Sequence, residues 1–200
     1  ADPYQISTVA DWTELTGTSA DWGAAFVLTA DLDFNGASLA MVGTMVPDYL
    51  PFSGTFNGNG HVLRNAVINL PTGDFVGVFG FVSGHINNLG AEGISVSARN
   101  FVGCLVGYIE SGTISNCYAT GSVNGVGKVG GLAGHINNCK SLANSYATGS
   151  VIGSGDDVGG LVGNAMWCKI TNCYASGSVS GNQYVGGLVG RYQKDLIAAT

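Results

Sequence analysis

Val158-Gly159-Gly160-Leu161-Val162-Gly163 returns residue for residue as Val185-Gly186-Gly187-Leu188-Val189-Gly190, and close variants fill Val129 to Gly134 and Val102 to Gly107. A degenerate copy, one residue shorter, runs from Val76 to Gly80. The closing glycines Gly80, Gly107, Gly134, Gly163 and Gly190 stand 27, 27, 29 and 27 positions apart. A fixed period of this size marks an architecture in which one supersecondary unit is laid on the next.

A second block keeps the same beat. Ile114-Ser-Asn-Cys-Tyr-Ala-Thr-Gly-Ser-Val123, Leu142-Ala-Asn-Ser-Tyr-Ala-Thr-Gly-Ser-Val151 and Ile170-Thr-Asn-Cys-Tyr-Ala-Ser-Gly-Ser-Val179 follow one another at 28 residues, and Ile86-Asn-Asn-Leu-Gly90 is an eroded earlier copy. Asn88, Asn116, Asn144 and Asn172 thus form a column. Each repeat holds three short β-prone runs punctuated by Gly, Asn and Ser, and no 3.6-residue pattern survives the glycines. The expected fold is all-β: a right-handed parallel β-helix of 27–29 residues and three strands per coil. Equivalent strands would lie roughly 4.8 Å apart. In that geometry the asparagine column becomes a structural ladder, each amide donating to the next coil.

Composition agrees. The chain has 200 residues, 46% hydrophobic, with 33 Gly and only 10% charged residues, against averages of roughly 7% Gly and 25% charged. Gly without a triplet period excludes collagen and fits many tight turns. A net charge of −6 without any Lys/Arg run leaves no electrostatic footprint for nucleic acid. No apolar run is long enough to insert in a membrane. Ala1 in place of Met is compatible with a removed signal peptide and equally with a sequence trimmed for expression. The cysteines Cys104, Cys117, Cys139, Cys168 and Cys173 include no CxxC and no histidine at ligand spacing, so no metal or cofactor is expected and the thiols read as core residues. Cys117 and Cys173, two coils apart, are out of disulfide range. Cys139 and Cys168, one long coil apart, can pair if they are in register.

Residues 1–74 do not repeat and hold 8 of the 13 acidic residues; they read as an N-terminal cap with the first irregular coils, ahead of a repeat solenoid over 75–200. Ser7 or Thr8 can cap a short helix through Ala10, Trp12 and Leu15, with Gly17 as its stop. Phe26 to Phe34 and His61 to Leu70 alternate as strands, around the turn signal Asn57-Gly-Asn-Gly60.

The Val-Gly-Gly-Leu-Val-Gly and Ile-x-Asn-Cys-Tyr-Ala-Thr-Gly-Ser-Val motifs resemble the GLUG-motif repeats of large secreted and cell-surface bacterial proteins, over residues 75 to 190. Tyr4 to Thr8, Phe26 to Asp33 and Phe52 to His61 look like the segment that precedes such repeats. The resemblance implies an extracellular, adhesin-like module, also found beside the catalytic domains of some immunoglobulin A1 peptidases, with no catalytic residues to carry over. An open solenoid end after the fifth Val-Gly motif, with Arg191 to Thr200 lacking a recognisable cap, predicts a longer parent chain or end-to-end self-association.

For chemistry the chain offers little convergence. A carbohydrate-active β-helix enzyme, the alternative function, needs carboxylates gathered on one face. The repeats hold only Glu92, Glu110, Asp156 and Asp157, none in register with another. Asp156 and Asp157, in the coil two residues longer, are expected in a solvated turn, with a calcium site as the alternative; Asp31, Asp33 and Asp48 are surface carboxylates that could surround a cation only if the cap gathers them. His61, His85 and His135 lack a nucleophile motif beside them.

The most regular feature is a strip. Tyr118, Thr120 and Ser122, then Tyr146, Thr148 and Ser150, then Tyr174, Ser176 and Ser178 share one strand face by their spacing of two, with Ala119, Gly121, Val123 and their equivalents opposite. Such an uncharged array suits ring stacking and hydrogen bonding to glycans. The alternatives are tyrosine stacks that only brace the sheet, and an ice-binding hydroxyl lattice. The expected function is therefore a non-enzymatic extracellular module for adhesion or scaffolding, with glycans or host and neighbour cell-surface proteins as partners.

Overall fold

The computed structural model describes residues 2–45 and 48–194; residues 195–200 of the proposed open end lie outside the described residues. The chain winds as a parallel β-solenoid of about six turns. Its stacking follows the sequence columns: Tyr118 pairs with Tyr146 and Tyr146 with Tyr174, Ile114 pairs with Leu142 and Leu142 with Ile170, and Val129 pairs with Val158 and Val158 with Val185.

The expected three strands per coil are too few. Among the described residues the ladders form four sheets, of seven, six, eight and five strands. The coil beginning at Thr113–Ser115 continues through Tyr118–Ala119, Ser122–Gly125, Gly127–Gly130 and Ala133–Asn137. Extra corners arise because the repeat bends at left-handed residues, one per column: Asn88, Asn116, Asn144 and Asn172 at one corner, Phe75, Phe101, Lys128, Asp157 and Tyr184 at a second, Ser111, Asn138 and Trp167 at a third. Asparagine tolerates this conformation well, which explains the first column and leaves the second and third without a uniform residue type.

The Val-Gly motif makes the sharpest fold of the coil. Leu105, Leu132 and Leu161 point into the core and are fully buried. Their backbones bond coil to coil, Leu105 N to Leu132 O at 3.0 Å and Leu132 N to Leu161 O at 2.9 Å. The strand that follows then lies directly on the backbone of the second corner, one coil earlier. A Cβ on Gly134 would sit 2.3 Å from Val102 N, and one on Gly107, Gly163 or Gly190 would sit 2.5 Å from backbone atoms. Only glycine permits that approach, so the closing-glycine column has a steric cause.

The N-terminal third joins the same sheets, with Tyr4–Ile6, Ala25–Leu28 and Thr55–Asn57 continuing into His85–Asn87. Helix α1 (Val9–Gly17) starts at Thr8, one of the two expected caps, and Asp11 completes a capping box: Asp11 N donates to Thr8 Oγ1 at 3.1 Å and Thr8 N to Asp11 Oδ2 at 2.9 Å, a reciprocal closure of free helix-end donors. Its buried Trp12 meets Phe34, Phe56 and Phe79 edge-on at 5.9 to 6.4 Å and its indole donates to Ala40 O. The helix thereby covers the open end of the first coils. The two long strands expected in this region are each broken by a corner, Ala25–Leu28 from Leu32–Asp33 and Val62–Arg64 from Val67–Val76, the latter at left-handed Asn65.

Candidate binding surface

The tyrosine strip lies on the six-stranded sheet and its continuation. Alternation places Ala119, Gly121 and Val123 inside, and Thr120 and Ser122 in solvent. The inner glycine is required here too, since a Cβ on Gly149 would meet Gly121 O at 1.6 Å. The Tyr118 and Tyr146 rings stack at 5.0 Å and 5°, those of Tyr146 and Tyr174 at 4.9 Å and 6°. Below Tyr118 the register places Gly90, whose missing side chain makes room for the ring.

This arrangement changes how the strip can bind. The rings lie face to face along the solenoid axis, so the faces of Tyr146 are both covered and those of Tyr118 are covered by Gly90 and Tyr146. What the strip presents sideways is ring edges, phenol hydroxyls and the Thr/Ser hydroxyls. Tyr174 is 54% exposed. Two lower hydroxyls are occupied: Thr120 Oγ1 accepts from Gly93 N at 3.2 Å and Ser122 Oγ meets Ser95 Oγ at 3.5 Å. Tyr118 donates to Glu92 Oε1 at 2.6 Å, and its phenol is pushed up by burial and then by that carboxylate. Glu92 was missed as part of the strip. It stands in the register position of Thr120, visible once the eroded copy ending at Gly90 is extended by two residues.

The asparagine column is a hydrogen-bonded ladder. Asn116, Asn144 and Asn172 each donate Nδ2 to Oδ1 of the asparagine one coil earlier, at 3.0, 3.1 and 3.1 Å. Asn88 donates to Asn57 at 3.0 Å, a residue in register with Asn87 through a 30-residue coil, so the ladder is continued one position out of its column.

The remaining candidates disperse. Asp31 lies 3.0 Å from His61 Nδ1 and Asp33 lies 3.3 Å from Arg64 Nε; bonds from His61 and from Asn35 N respectively hold the two carboxyls low. Among the described residues no three His, Cys, Asp or Glu side chains come close enough to hold a metal. His85 Nδ1 meets Thr113 Oγ1 at 2.8 Å. His135 stacks on Tyr108 at 5.1 Å and 3°, and burial, with Lys128 next, pushes its pKa down to about 4.

The solvated turn expected at Asp156 and Asp157 needs correction. Asp157 is buried, accepts from Asn164 Nδ2 at 2.7 Å and lies 2.8 Å from Arg191 Nε. It occupies the second corner, whose side chains fold over the outward column Tyr108, His135, Asn164 and Arg191, so the longer coil turns one acid inward to meet a cation. Asp156 accepts from Asn182.

Cys139 and Cys168 are in register and bonded, with Cα atoms 4.9 Å apart; Cys104, Cys117 and Cys173 are free. Burial pushes the Cys104 and Cys117 thiols up to about 12.

Comparison with known proteins places these features. The family model described as the GLUG motif matches residues 101–124 and 154–180, so the chain carries GLUG repeats. Halomucin of Haloquadratum walsbyi is 32% identical over 145 residues, covering 67% of this chain and 2% of that protein. A crystal structure of a protein from Bacteroides ovatus, provisionally assigned as an immunoglobulin A1 protease, superposes with a TM-score of 0.79 at 27% identity, over 98% of this chain and 63% of that one. The chain therefore spans less than two thirds of either protein.

Proposed function

We propose that this GLUG-repeat solenoid is a non-catalytic display and spacer module of a secreted or cell-surface protein, contacting neutral glycans through the hydroxyl edge of its tyrosine strip. The observation that carries the reading is the in-register Tyr118, Tyr146 and Tyr174 stack with its flanking hydroxyls: a rigid row whose spacing the backbone ladder fixes, uncharged beyond the one acid, Glu92, at its first coil. Rigid, pre-ordered hydroxyls lose little entropy on binding. The match to a small part of halomucin supports a module used inside a long extracellular chain.

A glycan array and a cell-adhesion assay test the contact half, comparing wild type with Thr148→Val/Ser150→Ala, which removes hydroxyls and leaves the rings stacked. Binding by wild type and loss in the variant is the expected result. Equal signals, or none from either protein, would leave a spacer alone.

A second reading, favoured by the Bacteroides ovatus neighbour, is a peptidase module. Against it stand buried thiols held protonated and carboxylates engaged separately by Tyr118, Tyr49, Asn182 and Arg191. Cleavage of immunoglobulin A1 or casein by purified protein would overturn the non-catalytic proposal.

A further inference from the structure

Lys140 and Lys169 stack one coil apart beside the disulfide, and Lys194 follows Trp167 into the next coil, so the coil register gathers three lysines in one place. These three of the chain's seven basic residues, in a molecule of net charge −6, line an open hollow of about 520 Å³ with Trp167, Tyr192 and the Cys139–Cys168 disulfide. Among the described residues no acidic side chain lines it, Glu110 standing in the adjoining hollow that shares Asn138 and Trp167, and none of the three lysines has an ion-pair partner.

Trp167 is the informative residue. It is 42% exposed and left-handed, with φ 48°, at the corner that Ser111 and Asn138 fill in the preceding coils. A bulky side chain is disfavoured in this conformation, and an exposed ring gains no core packing in return. Tyr184 is likewise left-handed and 52% exposed, so it is the position of the exposed indole beside three lysines, and not its backbone conformation, that points to use of the ring. The surroundings hold it still. The disulfide joins the residues that follow Asn138 and Trp167, fixing the two corners one coil apart, and the Tyr192 hydroxyl donates to Cys168 O at 3.3 Å, setting its ring against the wall.

We infer that this hollow binds an acidic polysaccharide. Trp167 offers a flat face to the apolar side of a sugar ring, and the lysine ammoniums, compact charges on flexible stems, meet its carboxylates or sulfates. Outside the hollow Arg64, Arg99 and Arg191 are paired with Asp33, Asp74 and Asp157 and Lys128 lies over Phe101, there is no basic run to follow a nucleic-acid backbone, and the open shape admits an extended chain passing through. An acidic peptide would satisfy the lysines but supplies no continuous flat C–H face for the indole. The site lies beyond the strand Ile170–Thr171 and the Asn172 corner from the tyrosine strip, so it does not depend on the glycan reading given to that strip.

Calorimetry with the intact chain tests this, using polygalacturonate and chondroitin sulfate as probes, with dextran and polyglutamate as controls. Trp167→Asn, which installs the residue of the preceding coil, removes the ring without adding strain, and Lys140→Gln/Lys169→Gln removes charge. The expected result is binding of at least one acidic polysaccharide, no dextran binding that depends on Trp167, Lys140 or Lys169, and weaker binding of polyglutamate. Each hollow variant should lose roughly tenfold in affinity with an unchanged circular dichroism spectrum, while Thr148→Val/Ser150→Ala binds as wild type. The inference is overturned if neither acidic polysaccharide binds, if Trp167→Asn binds as wild type, if polyglutamate binds equally well, or if the strip variant loses the binding instead.

Discussion

Replacing Gly134 by alanine should damage the protein far more than a methyl group usually does. The new Cβ would lie 2.3 Å from Val102 N, 2.4 Å from Phe101 C and 2.7 Å from Gly107 O. All three are backbone atoms in the preceding coils, so no rotamer change relieves the clash; the coils must separate or the corner must open. Overpacking of well-packed interiors costs about 1–3 kcal/mol, and a clash against hydrogen-bonded ladders belongs at the upper end, about 3 kcal/mol. For a chain of this size that corresponds to a fall of roughly 6–12 °C in Tm. Gly127→Ala is the control within the same coil: its Cβ would meet only the Asn100 side chain at 3.2 Å and Asp156 O at 3.6 Å, and alanine there also restricts the unfolded chain, an effect of about 0.4–1 kcal/mol in the stabilising direction. Thermal unfolding followed by circular dichroism reads both. A Gly134→Ala melting point within a degree of Gly127→Ala would refute the claim that the closing glycines exist for backbone contact.

Further outcomes follow from the columns. Asn144→Ala removes two ladder bonds and places alanine in a left-handed corner, so it should cost about 2–3 kcal/mol, whereas Asn144→Gly, which keeps the conformation, should cost about 1 kcal/mol; urea unfolding separates them. The Cys139–Cys168 bridge closes 29 residues and should contribute about 3 kcal/mol, read as a lower urea midpoint in reductant, and denatured unreduced protein should titrate as three thiols. His135 binds its proton near pH 4 when folded and near 6.5 when unfolded, so the unfolded chain takes up the proton first. Stability present above pH 6.5 should decline by roughly 3 kcal/mol toward pH 4, and His135→Tyr, continuing the ring column from Tyr108, should remove that slope.

The period, the helix cap and the inside-outside alternation of the strip were legible because each is local or strictly repeated: Ser7 and Thr8 are cap-forming residues directly ahead of Ala10, Trp12 and Leu15, and Tyr118, Tyr146 and Tyr174 keep one spacing. The fourth sheet was not, because corners at Phe101, Lys128 and Asp157 use unrelated residues in one left-handed conformation. Asp157 looked like a solvated acid because its partners Asn164 and Arg191 reach it only through the stacking of coils. The ring sandwich escaped notice since spacing gives a shared face but not the direction a ring plane takes. Lys140 and Lys169 stand 29 apart and Trp167 and Lys194 stand 27 apart, the coil spacings themselves, but only the folded corner shows that these two columns flank one exposed hollow.

Cross-linking of engineered cysteines tests the coil register most directly. Ser122→Cys with Ser150→Cys places thiols on neighbouring strands in register, beside the Val123 and Val151 pair, roughly 4.8 Å apart, within the disulfide range of about 7 Å. Thr120→Cys with Ser150→Cys is offset by two residues and lies roughly 8 Å apart. Mild oxidation and peptide mapping should find the first bridge in high yield and the second scarcely at all. Equal yields, or preference for the offset pair, would contradict a solenoid in which the 28-residue columns of the sequence are vertical stacks.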